Sequence, residues 1–162
     1  MDPLEAWTDF NVAMAGATAA LAGLVIVAAS VNIADIVKAV SLTARLAAGI
    51  SSLVLALSVS ALGLIPEFST ILYGACVLVL AVVSGVFQSV ATRRIYENVD
   101  PANRWRLAKA AIGFVAPGLY AAGGIALLIG EPVGLLLFAF GAVVAIMTAL
   151  LVSWVVLVEV LR

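Results

Sequence analysis

Val133–Val158 reads VGLLLFAFGAVVAIMTALLVSWVVLV, 26 consecutive residues without a charged side chain. At about 1.5 Å of rise per residue, a helix of that length exceeds the roughly 30 Å hydrocarbon core of a bilayer, so the stretch reads as a transmembrane span. Working outward from it, four more apolar stretches of about 20 residues or more have the same character: Phe10–Ile33, Leu46–Ile65, Ile71–Val90 and Ala108–Ile129. The spans use nearly all of a 162-residue chain that is 65% apolar and 10% charged, a composition far from that of ordinary soluble domains. The expected fold class is all-α, an integral membrane bundle of five transmembrane helices forming one domain over residues 1–162.

The charges give this bundle a direction. Of the eight basic residues, Lys38 and Arg45 fall between the first and second spans, Arg93, Arg94, Arg104, Arg106 and Lys109 between the third and fourth, and Arg162 after the fifth. Because Lys and Arg resist translocation, this pattern predicts an amino terminus outside and a carboxyl terminus in the cytoplasm. Asp2, Glu5, Asp9, Glu67 and Glu131 then lie outside, and the inner side sets its cations against Asp35, Glu97, Asp100 and Glu159. The inner face is net positive and suited to anionic lipid headgroups. No basic residue precedes the first span, so it lacks the n-region of a signal peptide and is expected to stay in the mature protein.

Local signals punctuate the spans consistently. Asp2-Pro3-Leu4-Glu5 reads as an N-cap, a first-position proline and a capping-box glutamate, with Trp7 and Phe10 at headgroup level. Asn32 to Ser41, with Ile33, Ile36, Val37 and Val40 beside Asp35 and Lys38, has the spacing of a short interfacial helix. Ser41 or Thr43 is placed to cap the second span and Ser69 the third, after a tight hairpin at Leu64–Ser69. Asp100-Pro101 repeats the cap-and-proline signal, and Gly130-Glu131-Pro132 makes the last turn.

Small residues mark contact faces. Ala13, Gly16, Ala17, Ala20 and Gly23 recur at spacings of three, four and seven along the first span, and Gly134, Gly141 and Ala145 along the fifth. Lipid provides little hydrophobic drive between helices, so close backbone approach through such residues is a main source of association. The partner is either a helix of the same protomer or one of a neighbouring copy. In the fourth span, Pro117 frees the carbonyl of Gly113 and predicts a kink, and the Tyr120 hydroxyl one turn later needs an acceptor, from a freed carbonyl or a serine on another span.

Ser51, Ser84 and Thr148 are expected at similar height in the inner half of the bundle, and Thr18 and Ser58 in the outer half. With Gln88 on the Ser84 face, these groups either line a narrow polar path or bond the carbonyl four residues back and cross-link helices. No Asp, Glu, Lys or Arg falls near a span centre, which argues against a pump or proton-coupled carrier but not against a passive pore.

Other chemistry has little to build on. There is no histidine, so metal and proton-shuttle sites lose their commonest ligand, and no metal or cofactor is expected. Cys76 is the lone cysteine, a small apolar side chain within the third span. Phosphate loops, nucleophile elbows and paired intramembrane carboxylates are missing, so the expected role is not enzymatic. Arg93, Arg94, Arg104 and Arg106, with Tyr96 and Trp105 between them, resemble a nucleic-acid patch in composition. Their place beside two spans points instead to topology and lipid phosphates, with Glu97, Asp100 and Glu159 near enough in depth to pair with them.

FNVAMAGATAALAGL at residues 10–24, followed by Val27, Ser30 and Asn32, resembles the opening of a largely uncharacterised family of small polytopic bacterial inner-membrane proteins. SWVVLVEVLR at residues 153–162 is similar to that family's ending, and Pro66 after the second span also fits. Some members carry the automated label of modulator of a membrane-bound ATP-dependent protease. The resemblance implies a multi-pass protein of the bacterial inner membrane and carries over no site residues. The expected function is that of a self-assembling membrane protein or an accessory subunit of a larger complex. An oligomeric channel for ions or small solutes and an anionic-lipid-binding protein are the alternatives.

Overall fold

The computed structural model describes residues 3–97 and 106–160, the side chains of residues 109 and 160 aside. A short 3-10 turn at Glu5–Trp7 runs into α1 (Thr8–Val31), and the chain continues through α2 (Ile33–Ile36), α3 (Val40–Leu62), α4 (Thr70–Glu97), α5 (Arg106–Leu128) and α6 (Val133–Val160). All regular structure among the described residues is helical, and five of the helices are long and apolar enough to cross a membrane.

Packing makes α3 the hub, against α1, α4 and α6, while α5 joins α4 to α6 and α1 stands at the edge. Burial follows: half of the most apolar window of α3 is buried (50%) against 22% for α1. One core cluster, around Tyr73, Tyr120, Phe138 and Leu135, occupies the end near Glu5, Glu67 and Glu131. The other, around Ile36, Leu46, Leu53 and Val156, occupies the basic end that carries Lys38, Arg45, Arg93, Arg94 and Arg106.

Two helices outrun the stretches read from hydropathy. The second begins at Val40 rather than Leu46, which places Arg45 inside α3, and the third continues past Val90 to Glu97, which carries Arg93 and Arg94 on α4. Helical hydrogen bonding does not stop where the hydrocarbon does. The interfacial helix shrinks to the single turn α2, where Ile36 is buried while Ile33, Val37 and Val40 are exposed.

Neither Ser41 nor Thr43 caps α3. Ala39 holds the capping position without a side-chain bond, and the Thr43 hydroxyl donates back to the carbonyl of Ile36 at 2.9 Å, tying α2 to α3. Ser69 precedes α4, its carbonyl accepting from the Tyr73 N–H at 2.8 Å. The expected caps at Asp2 and Asp100-Pro101, together with Arg104, Trp105 and Arg162, lie outside the described residues.

The end opposite the basic one is closed by glycine. Gly130, at φ 84°, ends α5 with the Glu131 N–H on the Ala126 carbonyl (2.8 Å) and its own N–H on Leu127 (3.1 Å), the paired bonds of a left-handed cap. A Cβ on Gly74 would stand 3.0 Å from the carbonyl oxygen of Gly124, and one on Gly124 would stand 3.0 Å from that of Gly74. Gly123 and Gly134 face each other in the same reciprocal way. Backbones of α4, α5 and α6 therefore meet directly, and no larger residue fits without moving a helix.

Gly124→Leu and Gly134→Val are each expected to lower stability by about 1–3 kcal/mol or more through overpacking. Gly16→Leu, at a position where a Cβ meets nothing within 4 Å, should not lower the protomer's stability. Thermal unfolding of the three variants in one detergent checks both expectations.

Candidate functional site

The densest polar grouping within the spans lies on the α3–α4 seam. Gln88 is buried and its Nε2 donates to the carbonyl of Ala48 (3.1 Å) and to Ser52 Oγ (3.1 Å), while Ser52 Oγ donates to Ala48 (3.2 Å). One turn along, Ser51 Oγ donates to Ser84 Oγ at 3.2 Å. Ser84 and Gln88 are four residues apart on α4, as Ser51 and Ser52 sit side by side on α3, so the two helices interlock in one register.

The residues considered for a polar path thus fall into two groups. Ser51, Ser58 and Ser84 line a groove of about 340 Å³ between α3 and α4, otherwise apolar. Gln88 and Thr148 line a separate cavity of about 270 Å³ at the basic end, where four helices converge. Thr148 donates to the carbonyls of Val144 (2.8 Å) and Ala145 (3.2 Å) in its own helix. Ser52, whose hydroxyl completes the seam, is not singled out by the sequence, because nothing in the Ser51-Ser52 pair says which hydroxyl reaches Gln88.

The cavity runs from Arg45 and Val155 at its mouth to Gln88, Ser52 and Gly113 at its inner wall. Arg45 to Ser52 spans about 10 Å of helix. Gly113 faces the Gln88 Oε1, and any side chain there would collide with it. Arg45 donates to Glu159 Oε2 at 3.0 Å, joining the first turns of α3 to the last turn of α6. The Arg45 side chain is 11% exposed, far less than the cations of the other pairs, whereas Glu159 at 40% is about as exposed as Glu97.

Glu159 had been expected beside Arg93, Arg94, Arg104 or Arg106; its described partner is Arg45 instead, because α6 packs on α3 at this end. Glu97 meets both Arg93 Nε and Arg94 NH1 at 2.8 Å. Lys38 pairs with Asp35 at 2.7 Å. These latter pairs are surface contacts, each worth about 1 kcal/mol or less.

The small-residue faces separate as well. Gly134 and Gly141 pack inside the protomer, Gly134 on Gly123 and Leu127, Gly141 on the Tyr120 ring. On α1 the inward positions are Asn11, Thr18, Ala22, Val25 and Ala29. Gly16, Ala20 and Gly23 are exposed, and neither glycine has any atom within 4 Å of where a Cβ would stand.

α5 continues unbroken through Pro117. Tyr120 is wholly buried and its hydroxyl has no hydrogen-bond partner among the described residues, contrary to the expectation of an acceptor from a freed carbonyl or a serine on another span. The acceptor went to its neighbour: Tyr73 donates to the carbonyl of Val59 at 3.0 Å. Cys76 is half-buried, and no three His, Cys, Asp or Glu side chains cluster as metal ligands among the described residues.

Tyr120→Phe removes an orphaned hydroxyl while keeping the ring on Gly141, and should stabilise the fold by about 1 kcal/mol. Gln88→Leu removes two bonds across the seam and should destabilise it by about 1 kcal/mol, at roughly 0.6 kcal/mol per interhelical bond. Opposite shifts of the unfolding midpoint are the expected reading.

The chain matches no family model, and no curated protein or solved structure matches its sequence or fold.

Proposed function

We propose that this chain is a non-enzymatic integral membrane protein that assembles with further copies of itself through the exposed small-residue face of α1. The observation that carries this reading is the orientation of Gly16, Ala20 and Gly23, which α1 turns away from the bundle while Thr18, Ala22, Val25 and Ala29 face it. A face needed only to meet lipid gains nothing from glycine, which weakens a helix by about 1 kcal/mol relative to alanine. A second helix approaching backbone to backbone makes use of it. The edge position of α1, with few neighbours beyond α3, leaves that face open for its full length.

The proposed setting is the bacterial inner membrane, with the basic end in the cytoplasm. Two features support it: Lys38, Arg45, Arg93, Arg94 and Arg106 gather at one end of the helices, and both ends of the chain resemble small polytopic inner-membrane proteins.

Native mass spectrometry of gently extracted protein is expected to show a homo-oligomer that Gly16→Leu and Gly23→Leu dissociate to folded monomers. Unchanged mass for both variants overturns the α1 interface. A stoichiometric foreign subunit lost from the same variants would make the chain an accessory protein. Orientation is read separately: in a Cys76→Ser background, a cysteine at Glu131 should react with an impermeant maleimide added to intact cells, and one at Lys38 only after lysis.

A further inference from the structure

The cavity at the basic end is too large and too apolar to be a packing defect. Its volume is about 270 Å³, and its lining by the exposed side chains Ile112 and Leu151 makes it a groove open at the side of the bundle rather than a sealed void. The hydrogen bonds around it restrict what it can hold. Most side-chain donors of the lining are already used, Gln88 Nε2 on Ala48 and Ser52, Ser52 on Ala48, and Thr148 on its own helix, which leaves the Thr92 hydroxyl beside Arg45 toward the basic end. What remains facing the deep space is hydrocarbon from residues such as Ile112 and Val152, and acceptor oxygen, which together hold no anion.

The mouth is different. Arg45 is nearly buried, lines the cavity and, among the described residues, has Glu159 as its polar partner through NH1 alone. A guanidinium presents a fork of further N–H donors suited to phosphate oxygens. An occupant that satisfies both levels has a hydrocarbon tail about 10 Å long below Arg45 and an anionic head at it.

We propose that this cavity holds one acyl chain of an anionic glycerophospholipid, whose phosphate takes Arg45 N–H donors at the mouth. The inference goes beyond self-assembly and does not rest on it, since no residue of α1 lines the cavity. Arg93, Arg94 and Lys38 at the same end raise the local concentration of anionic lipid without touching the site. Glu159 competes with the phosphate for the same guanidinium.

The test is native mass spectrometry of delipidated protein titrated with phosphatidylglycerol or with diacylglycerol of identical chains, which lacks the phosphate. Wild-type protein should prefer phosphatidylglycerol. Arg45→Gln should weaken phosphatidylglycerol binding roughly tenfold, the size expected for a charged hydrogen bond, and leave diacylglycerol binding unchanged. Glu159→Gln should strengthen phosphatidylglycerol binding by releasing Arg45. Ala91→Phe, which fills the cavity, should abolish tight binding of both lipids with the unfolding transition retained; should it fail to fold, Thr148→Leu replaces it. Arg94→Gln is the surface control and should change little. Equal binding of the two lipids by wild type, a loss in Arg94→Gln matching that in Arg45→Gln, or lipid retention by a folded cavity-filled variant overturns the proposal.

Discussion

Direct backbone contact between glycines holds this bundle in its shape. Gly74 meets Gly124 and Gly123 meets Gly134, so α4, α5 and α6 touch where most helix pairs are kept apart by side chains. Between helices in lipid the hydrophobic effect contributes little, and such contact replaces it with dispersion attraction over close-fitting surfaces. Tyr120 lies over Gly141 and packs beside Phe138, filling the next layer along the bundle. The basic ends of the same helices carry Ile95, Ile112, Val152 and Val155, which keep the backbones apart and leave the cavity among them.

Polar groups then set the register that close packing alone leaves loose. Apolar helix faces slide past one another at small cost, whereas the Gln88 amide has partners only where it meets Ala48 and Ser52. Arg45 and Glu159 do for α3 and α6 what Gln88 does for α3 and α4. Both devices act on α3, which explains how a helix in the middle of the sequence becomes the hub of the bundle.

The five spans were legible in the sequence because the bilayer imposes a length and a composition that few soluble segments meet. Their ends were less so: hydropathy falls at Leu46 and Val90 while the helices run from Val40 and to Glu97, since interfacial water tolerates helix and charge together. Helix rotation was the hardest feature to read. With lipid on one side and apolar side chains on the other, both faces of α1 look alike, and nothing local says that Thr18 turns inward and Gly16 outward. Gly74 escaped notice for a related reason, as an isolated glycine gives no pattern until its partner Gly124 is known. Tyr120 shows the limit of reasoning from satisfied hydrogen bonds, because its ring fits the Gly141 layer whether or not its hydroxyl is bonded.

The two surfaces left after folding are independent in position, and α3 lies between them. The α1 stripe faces outward from the edge of the bundle, and the cavity lies among α3, α4, α5 and α6. α3 contacts α1 along one face and lines the cavity with Arg45, Ala48, Gly49 and Ser52 on another. A helix pinned by Gln88 on one side and Glu159 on another has little freedom to rotate, so α3 holds the α1 stripe and the cavity at a fixed angle to each other.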